Sequence, residues 1–280
     1  MPKIAIYYAS SIRRSRIVAT AMHDGAKKLG IKTDFIRSSE YRNRITHEVA
    51  IFYGLAEGLR RVFDDYQKRH RAVYIDLGYW GRRKASRYDG YHKLAVNSRH
   101  PTAYFQNIAH GPERFLPFRV PIMPWRKSGR HIIIAGMSAK AAAAEGLRPE
   151  QWEREMVEAL RQHTDRPIIY RPKPNWDGAR LIPGTQMQRG VSIGDALKNC
   201  HALVSHHSNV AIDALLAGVP CICPGGVASV LSGNNIRQIE RLPMLDGREQ
   251  WAADIGYTQY SVDEMAEGRA LRYLLDEGLI

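Results

Sequence analysis

CHALVSHHSNVAIDALLAGVPCICPGG, residues 200–226, holds a complete strand–loop–helix–turn–strand unit. Ala202-Leu203-Val204 is a short apolar strand, and Ser205-His206-His207-Ser208-Asn209 is the polar loop leaving its carboxyl end. Val210 to Ala217 has helical spacing, with Val210, Ala214 and Ala217 on one face. Gly218 stops that helix, and Val219-Pro220 leads into the strand Cys221-Ile222-Cys223. The loop's polar side chains therefore meet a helix N-terminus, where unpaired N–H groups and the positive dipole end receive anions. For a diphosphate, Asp213 stands about one turn further in, where a carboxylate reaches ribose hydroxyls. The pattern equally fits a plain strand–helix unit whose Ser and Asn only cap the helix.

The same rhythm extends in both directions. Strands are expected at Ile4–Ala9, Lys32–Ile36, Ala72–Asp76, His131–Ala135 and Pro167–Tyr170, with Ala50–Tyr53 a strand or a buried turn and Pro101–Phe105 a further extended segment. Helices are expected over Ser15–Leu29, Leu55–His70, Pro149–His163 and Ser192–Asn199, and from Ser261 to Leu275 behind a capping box. Alternating strands and helices predict mostly parallel sheets of the α/β class. Residues 111–130 carry four prolines and no clean period, so they read as a connection. The expected domains are 1–125, a basic Rossmann-like domain; 126–260, a second Rossmann-like domain; and 261–280, a C-terminal helix packing back toward the first. Ligands of such sheets bind beyond the carboxyl ends of the strands, so a central cleft between the domains is the expected site.

The chain has 280 residues, 41 Lys+Arg and 28 Asp+Glu, for a formal net charge of +13. Residues 1–130 hold 26 basic against 10 acidic residues, whereas 131–280 hold 15 against 18. So basic a half implies a polyanionic partner, most simply nucleic acid; the alternatives are an anionic lipid surface and basicity with no specific partner. No segment reaches membrane-spanning length, and the first strand begins at Ile4, leaving no room for a signal peptide. Three cysteines, Cys221 and Cys223 on one strand, are no disulfide framework, and their spacing is no zinc knuckle. Buried thiols, no metal-binding residues and a cytoplasmic location (the host's, for a phage protein) are the expectation. Neither G-x-G-x-x-G nor a Walker sequence occurs, which argues against nicotinamide enzymes and P-loop ATPases.

Three segments in order resemble the C-terminal half of GT-B glycosyltransferases, and are similar to CDP-glycerol and capsule-type transferases. They are Ile168-Ile169-Tyr170-Arg171-Pro172-Lys173-Pro174, then Ser192–Cys200, then Ser205–Pro220. Those families carry Arg-Pro-His-Pro or Lys-Pro-His-Pro at the strand end; here Lys173 replaces the His, which puts any imidazole role there in doubt. The resemblance covers about residues 130–225 and implies a GT-B fold and a nucleotide-sugar co-substrate, a UDP-sugar first. It implies no tightly bound cofactor and leaves room for a divalent ion. Arg171 and Lys173 would meet the diphosphate, with Ser205, His206, His207, Ser208 and Asn209 completing the cradle and Asp213 on the ribose. Gly136-Met137-Ser138, ending the first strand of this half, would let the donor approach. No D-x-D pair accompanies them.

A hydroxyl acceptor needs a base. Asp76, delivered to the carboxyl end of a buried strand, is the first choice, followed by Asp89 and His110. Asp76 could instead cap the chain or pair with Arg82 or Arg83. Around it runs a mixture of aromatic and basic residues: Tyr79, Trp80, Arg82, Arg83, Lys84, Arg87, Tyr91, His92, Lys93, Asn97, Arg99 and His100. Such a mixture suits a sugar–phosphate backbone with a stacked or extruded base. The basic half is similar in architecture and charge to bacteriophage DNA glycosyltransferases, which implies a hydroxymethylated base as acceptor. The alternatives are a capsule-type or CDP-polyol transferase at a membrane surface, touching it through Phe115–Trp125, and a non-catalytic nucleic-acid-binding protein.

Overall fold

The computed structural model describes residues 2–82, 89–105, 108–174 and 176–280. Along the chain these form β1 (Ile4–Tyr8), α1 (Arg13–Lys28), β2 (Thr33–Arg37), β3 (Val49–Tyr53), α2 (Leu59–Arg69), β4 (Arg71–Leu77), β5 (His92–Val96) and α3 (Thr102–Phe105). There follow β6 (His131–Ala135), α4 (Ala139–Ala144), α5 (Gln151–Arg161), β7 (Ile168–Arg171), β8 (Gln186–Met187), α6 (Ile193–Ala196), β9 (Cys200–Ser205), α7 (Val210–Leu216) and β10 (Cys221–Ile222). The chain ends with α8 (Arg248–Tyr257), β11 (Gln259–Tyr260), α9 (Val262–Ala266) and α10 (Arg269–Asp276). They divide into two compact units, residues 1–118 with 252–280, and residues 119–251.

The first unit is a six-stranded sheet in the order β11-β5-β4-β3-β1-β2. β1 to β4 pair in parallel, whereas β5 runs antiparallel to both β4 and β11. Period-two alternation sets the layers. Ile4 and Ile6 face a core shared with α1, α9 and α10, while Ala5 and Tyr7 face Leu59, Val62, Phe63 and Tyr66 of α2. The C-terminal helix thus packs on the first unit, but as two helices. Gly268, at φ 83°, breaks the expected run, and Gly25 of α1 lies so near that a Cβ there would overlap the Met265 carbonyl. Both halves of the Ser261/Glu264 capping box are formed.

The second unit is a five-stranded parallel sheet, β10-β9-β6-β7-β8. Ile132, Ile134, Tyr170 and Val204 pack against Trp152, Val157 and Leu160 of α5. α7 buries Ala211, Ile212, Ala214, Leu215 and Leu216 and leaves Val210, Asp213 and Ala217 half-exposed. Its outward line is therefore 210/213/217, so the 210/214/217 face named from the sequence is divided between half-exposed and buried positions. With apolar residues almost all round, α7 carries too little polar contrast to orient it.

The unit limits differ from the expected 125/126 and 260/261, for hydrogen-bonding reasons. Met123 N donates to Leu216 O and Arg126 N to Gly218 O, which ties 119–126 to the second unit. Leu94 N donates to Thr258 O and β11 pairs with β5, which ties 252–260 to the first. Pro101–Phe105 is not extended: Pro101 opens α3, accepting from Tyr104 N. The charge is also redistributed. The first unit holds 24 basic against 16 acidic residues and the second 17 against 12, so net +8 and +5 replace +16 and −3. The returning C-terminal segment supplies the acids: Glu264 pairs with Arg114 at 2.9 Å, and Asp254 with His110 at 3.1 Å.

Candidate functional site

In the second unit the chain runs from β6 to β7 and β8 on one side, then crosses to β9 and β10 on the other. A crevice of this kind, where strand order reverses, is where open α/β sheets take ligands. The segments named from sequence leave neighbouring strands at this edge: Gly136–Ser138 after β6, Arg171–Lys173 from β7, and Ser205–Asn209 from β9. Gly136 N donates to Arg171 O at 2.9 Å, joining the first two. A Cβ on Gly136 would lie 2.8 Å from the Tyr170 ring, so a side chain has no room there. Ser138 caps α4, its Oγ accepting from Ala141 N at 3.3 Å.

The donor residues separate into two groups. Ser138, Arg171, Lys173, His206, His207, Ser208, Asn209 and Asp213 are half-exposed at the edge. Gly136, Met137 and Ser205 are buried. Met137 belongs to the core, and Ser205 Oγ donates to Cys223 Sγ at 3.4 Å. Arg171 reaches Gln188 Oε1 at 3.2 Å and the Val191 carbonyl at 2.5 Å, which commits part of its donor fork and fixes its direction. Asn209 precedes α7 in helical conformation without a side-chain cap, and Ser208 Oγ accepts from Val210 N at 3.5 Å. Cys200, Cys221 and Cys223 are buried free thiols, and burial pushes Cys200 up to about 12.

The first unit uses the same edge. Asp76 ends β4 half-buried, with Tyr74 OH donating to Oδ2 at 3.0 Å and Leu77 N to Oδ1 at 2.8 Å. Tyr53, at the end of β3, accepts from Arg14 Nη1 at 3.4 Å. Asp89 lies half-buried in the turn before β5. His110 is closed off: its side chain is 6% exposed, Nδ1 meets Asp254 at 3.1 Å, Nε2 meets Tyr273 OH at 3.0 Å, and Tyr257 stacks on the ring. A ring held on both nitrogens ties the chain to α8 and α10 and is not presented to a substrate.

Four of the nine described residues of the expected nucleic-acid face are interior, and Tyr91, Asn97, Arg99, His100 and Arg82 are half-exposed or exposed. Tyr79, Trp80, His92 and Lys93 are 4%, 7%, 1% and 4% exposed. Gln259 Oε1 accepts from the Tyr79 and Trp80 amides, and Trp80 packs on Phe115 and Phe118. Burial lowers His92 to about 4, so it is neutral near pH 7. Lys93 Nζ lies 3.2 Å from His100 Nδ1, Asn97 bonds Ala72 N and His70 O, and Tyr91 packs on Phe118. Arg82 is exposed and Arg99 half-exposed; Arg83, Lys84 and Arg87 lie outside the described residues. The cause is β5, whose antiparallel pairing draws 92–96 into the sheet.

A cavity of about 690 Å³ opens in this unit instead, lined by Ser38, Ser39, Tyr41, Arg42, Glu57 and Arg61 among others. It sits where β2 and β3 end, and Glu57 at φ 49° accepts from Ser11 N at 3.2 Å.

No protein-family model matches the chain, and no curated protein does. Among solved structures it is similar to Thermosulfurimonas dismutans KpsC, beta Kdo 2,4 transferase, with TM-score 0.57 and 10% identity over 94% of this chain and 98% of that one. It is also similar to Thermosulfurimonas dismutans KpsC, beta Kdo 2,7 transferase, with TM-score 0.53 and 14% identity over 96% and 99%. The fold is GT-B. Among the described residues no helix is long and apolar enough to cross a membrane.

At the GT-B strand edge the structure adds two features that sequence reading misses. Glu153 of α5 is fully buried; its Oε1 accepts from Met137 N at 2.5 Å, and among the described residues no hydrogen-bond partner reaches Oε2. Burial raises its pKa. An acid raised on folding stabilises fully below its unfolded value, and that contribution is lost as pH rises through the folded value. Stability is therefore expected to fall as pH rises from the ordinary Glu range, and Glu153→Gln to flatten that fall in denaturant titrations at several pH values. An unchanged slope in the variant contradicts the assignment. The second feature is Glu145, directly after α4, which the fold gathers with His206 and His207. Neither carried a sequence signal, because each meets partners that lie apart in sequence, Glu153 with Met137 and Glu145 with His206 and His207.

Proposed function

We propose that the protein is a glycosyltransferase whose second unit holds a nucleotide-activated sugar. The observation carrying this is the gathering of Ser138, Arg171, Lys173 and His206–Asn209 at the ends of β6, β7 and β9, where strand order reverses. Cationic and hydroxyl groups there suit the phosphates of an activated donor. The likeness to proteins named as Kdo transferases agrees with sugar transfer.

For the acceptor we infer a hydroxyl of an anionic saccharide, bound by the first unit. The polar cavity at β2 and β3 supports it: two arginines, two serines, a tyrosine and an acid suit a hydroxyl-rich, negatively charged ligand better than a stacked base. For DNA, the expectation from charge, two of the aromatic residues named for a stacked base, Tyr79 and Trp80, are buried, while Tyr91 is half-exposed. In the reaction the acceptor oxygen bonds to the anomeric carbon as the bond from that carbon to the donor phosphate oxygen breaks. The nucleotide leaves with that oxygen, and the acceptor proton passes to Asp76.

Titration calorimetry of the whole chain against nucleoside mono- and diphosphates tests the donor half. One nucleotide is expected to bind, and Arg171→Ala to weaken it by about 1.5–3 kcal/mol, the range for a hydrogen bond to a charged group. Thermal unfolding checks that the variant keeps its fold, since Arg171 also holds 188–191. Equal affinity in a folded variant counts against the site. Incubation of the enzyme and its donor with anionic oligosaccharides and with hydroxymethylated DNA, read by intact mass, separates the two acceptors.

A further inference from the structure

We propose that Glu145, His206 and His207 form a binding site for one divalent transition metal ion of the zinc class. His206 and His207 leave the end of β9, and Glu145 follows α4, which begins beside β6. One ligand atom from each lies within 4.8 Å of the other two, and all three residues are half-buried. The two imidazoles point Nδ1 to Nδ1 at 2.7 Å, with ring planes at 90°. Two nitrogens bound to one zinc at about 2.0–2.1 Å stand about 2.9 Å apart at a right angle and about 3.3 Å at the tetrahedral angle. A shift of a few tenths of an ångström therefore opens the pair around an ion. The rings are held for it: Trp152 packs edge-on against His206, Gly225 N donates to His206 O at 2.9 Å, and a Cβ on Gly225 would crowd His207 Cβ.

The ligand set decides the class of ion. Magnesium and calcium take oxygen shells, whereas two imidazoles and a carboxylate suit zinc and its first-row neighbours. Three protein ligands leave a coordination position open, the arrangement of a site that receives a further oxygen. A donor phosphate filling that position rests on the proposed function above; the metal site does not. An imidazole–imidazole hydrogen bond is the competing account of the 2.7 Å contact. It uses one protonated and one bare Nδ1, whereas the metal uses both bare.

The test is zinc binding to the chelator-stripped whole chain, measured by competition with a chromophoric chelator. Cobalt(II) absorption reports the coordination. One ion per chain is expected, with ligand-field bands of nitrogen–oxygen coordination. His206→Ala and His207→Ala should each weaken zinc at least 100-fold and Glu145→Gln at least 10-fold, with the metal-free unfolding midpoint showing that each variant folds. No stoichiometric ion in the wild type, or wild-type affinity in folded His207→Ala, overturns the site. Nucleotide titrations with and without zinc keep the two readings apart. Stoichiometric zinc without nucleotide binding sustains the site and removes the donor reading. Nucleotide binding with no zinc at any concentration removes the site alone.

Discussion

Asp76→Asn is expected to lower the transfer rate by about a thousandfold, within the 10²–10⁴ range for loss of a general base. The change keeps shape and hydrogen-bonding size, so the Tyr74 and Leu77 contacts have a partner and the fold is expected to stand. What it removes is the capacity to take a proton. Because the acceptor hydroxyl loses its proton only as the new bond forms, nucleotide affinity is expected to stay within about twofold of wild type, as for an interaction made in the transition state alone. Single-turnover rates at saturating donor, paired with nucleotide titration, read the two quantities separately. Transfer near the wild-type rate counts against Asp76; a matching loss of nucleotide affinity assigns it to binding or folding.

Gly218→Ala is expected to destabilise the protein by about 2–5 kcal/mol, combining a left-handed backbone at about 1–2 with overpacking at about 1–3. Gly218 has φ 73°, and its N–H closes α7 onto Leu215 O at 3.2 Å. A Cβ there would overlap the Pro124 carbonyl and stand 3.2 Å from Met123 O. These belong to the segment held to α7 by Met123 N–Leu216 O and Arg126 N–Gly218 O, both 2.7 Å. Neither backbone can move without breaking those bonds. Gly190→Ala is the control: φ is 74° and no described residue lies within 4 Å of an added Cβ, so only the backbone cost of about 1–2 kcal/mol is expected. Denaturant unfolding of both variants checks the difference. Equal losses would show that the packing against Pro124 costs nothing.

Much of the second unit was legible because its signals are local. The apolar runs of β6, β7 and β9, Pro172 and the Gly218 stop lie within a few residues of what they determine. Its polar strand ends were found for the same reason. The burial of Met137 and Ser205 was hidden, because the side of a strand end that meets the core depends on neighbours distant in sequence. The first unit was harder. His92–Val96 is short and preceded by Tyr, Asp and basic residues, so composition read it as surface, whereas pairing with β4 and β11 makes it interior. Gln259, whose carbonyl pins the Tyr79 and Trp80 amides, is 180 positions from Tyr79. The acidic residues of 254–277 likewise looked like the charge balance of the second half until the chain returned to the first unit.

The central claim is that an activated nucleotide sits at the ends of β6, β7 and β9. Hydrogen–deuterium exchange of the whole chain, with and without the nucleotide that raises its unfolding midpoint most, tests it most directly. The account predicts slowed exchange at 136–138, 171–173 and 205–210, with β5 and the Ser38–Asn43 cavity segment unchanged. Protection confined to the first unit, or none at the three strand ends under saturating nucleotide, would contradict it.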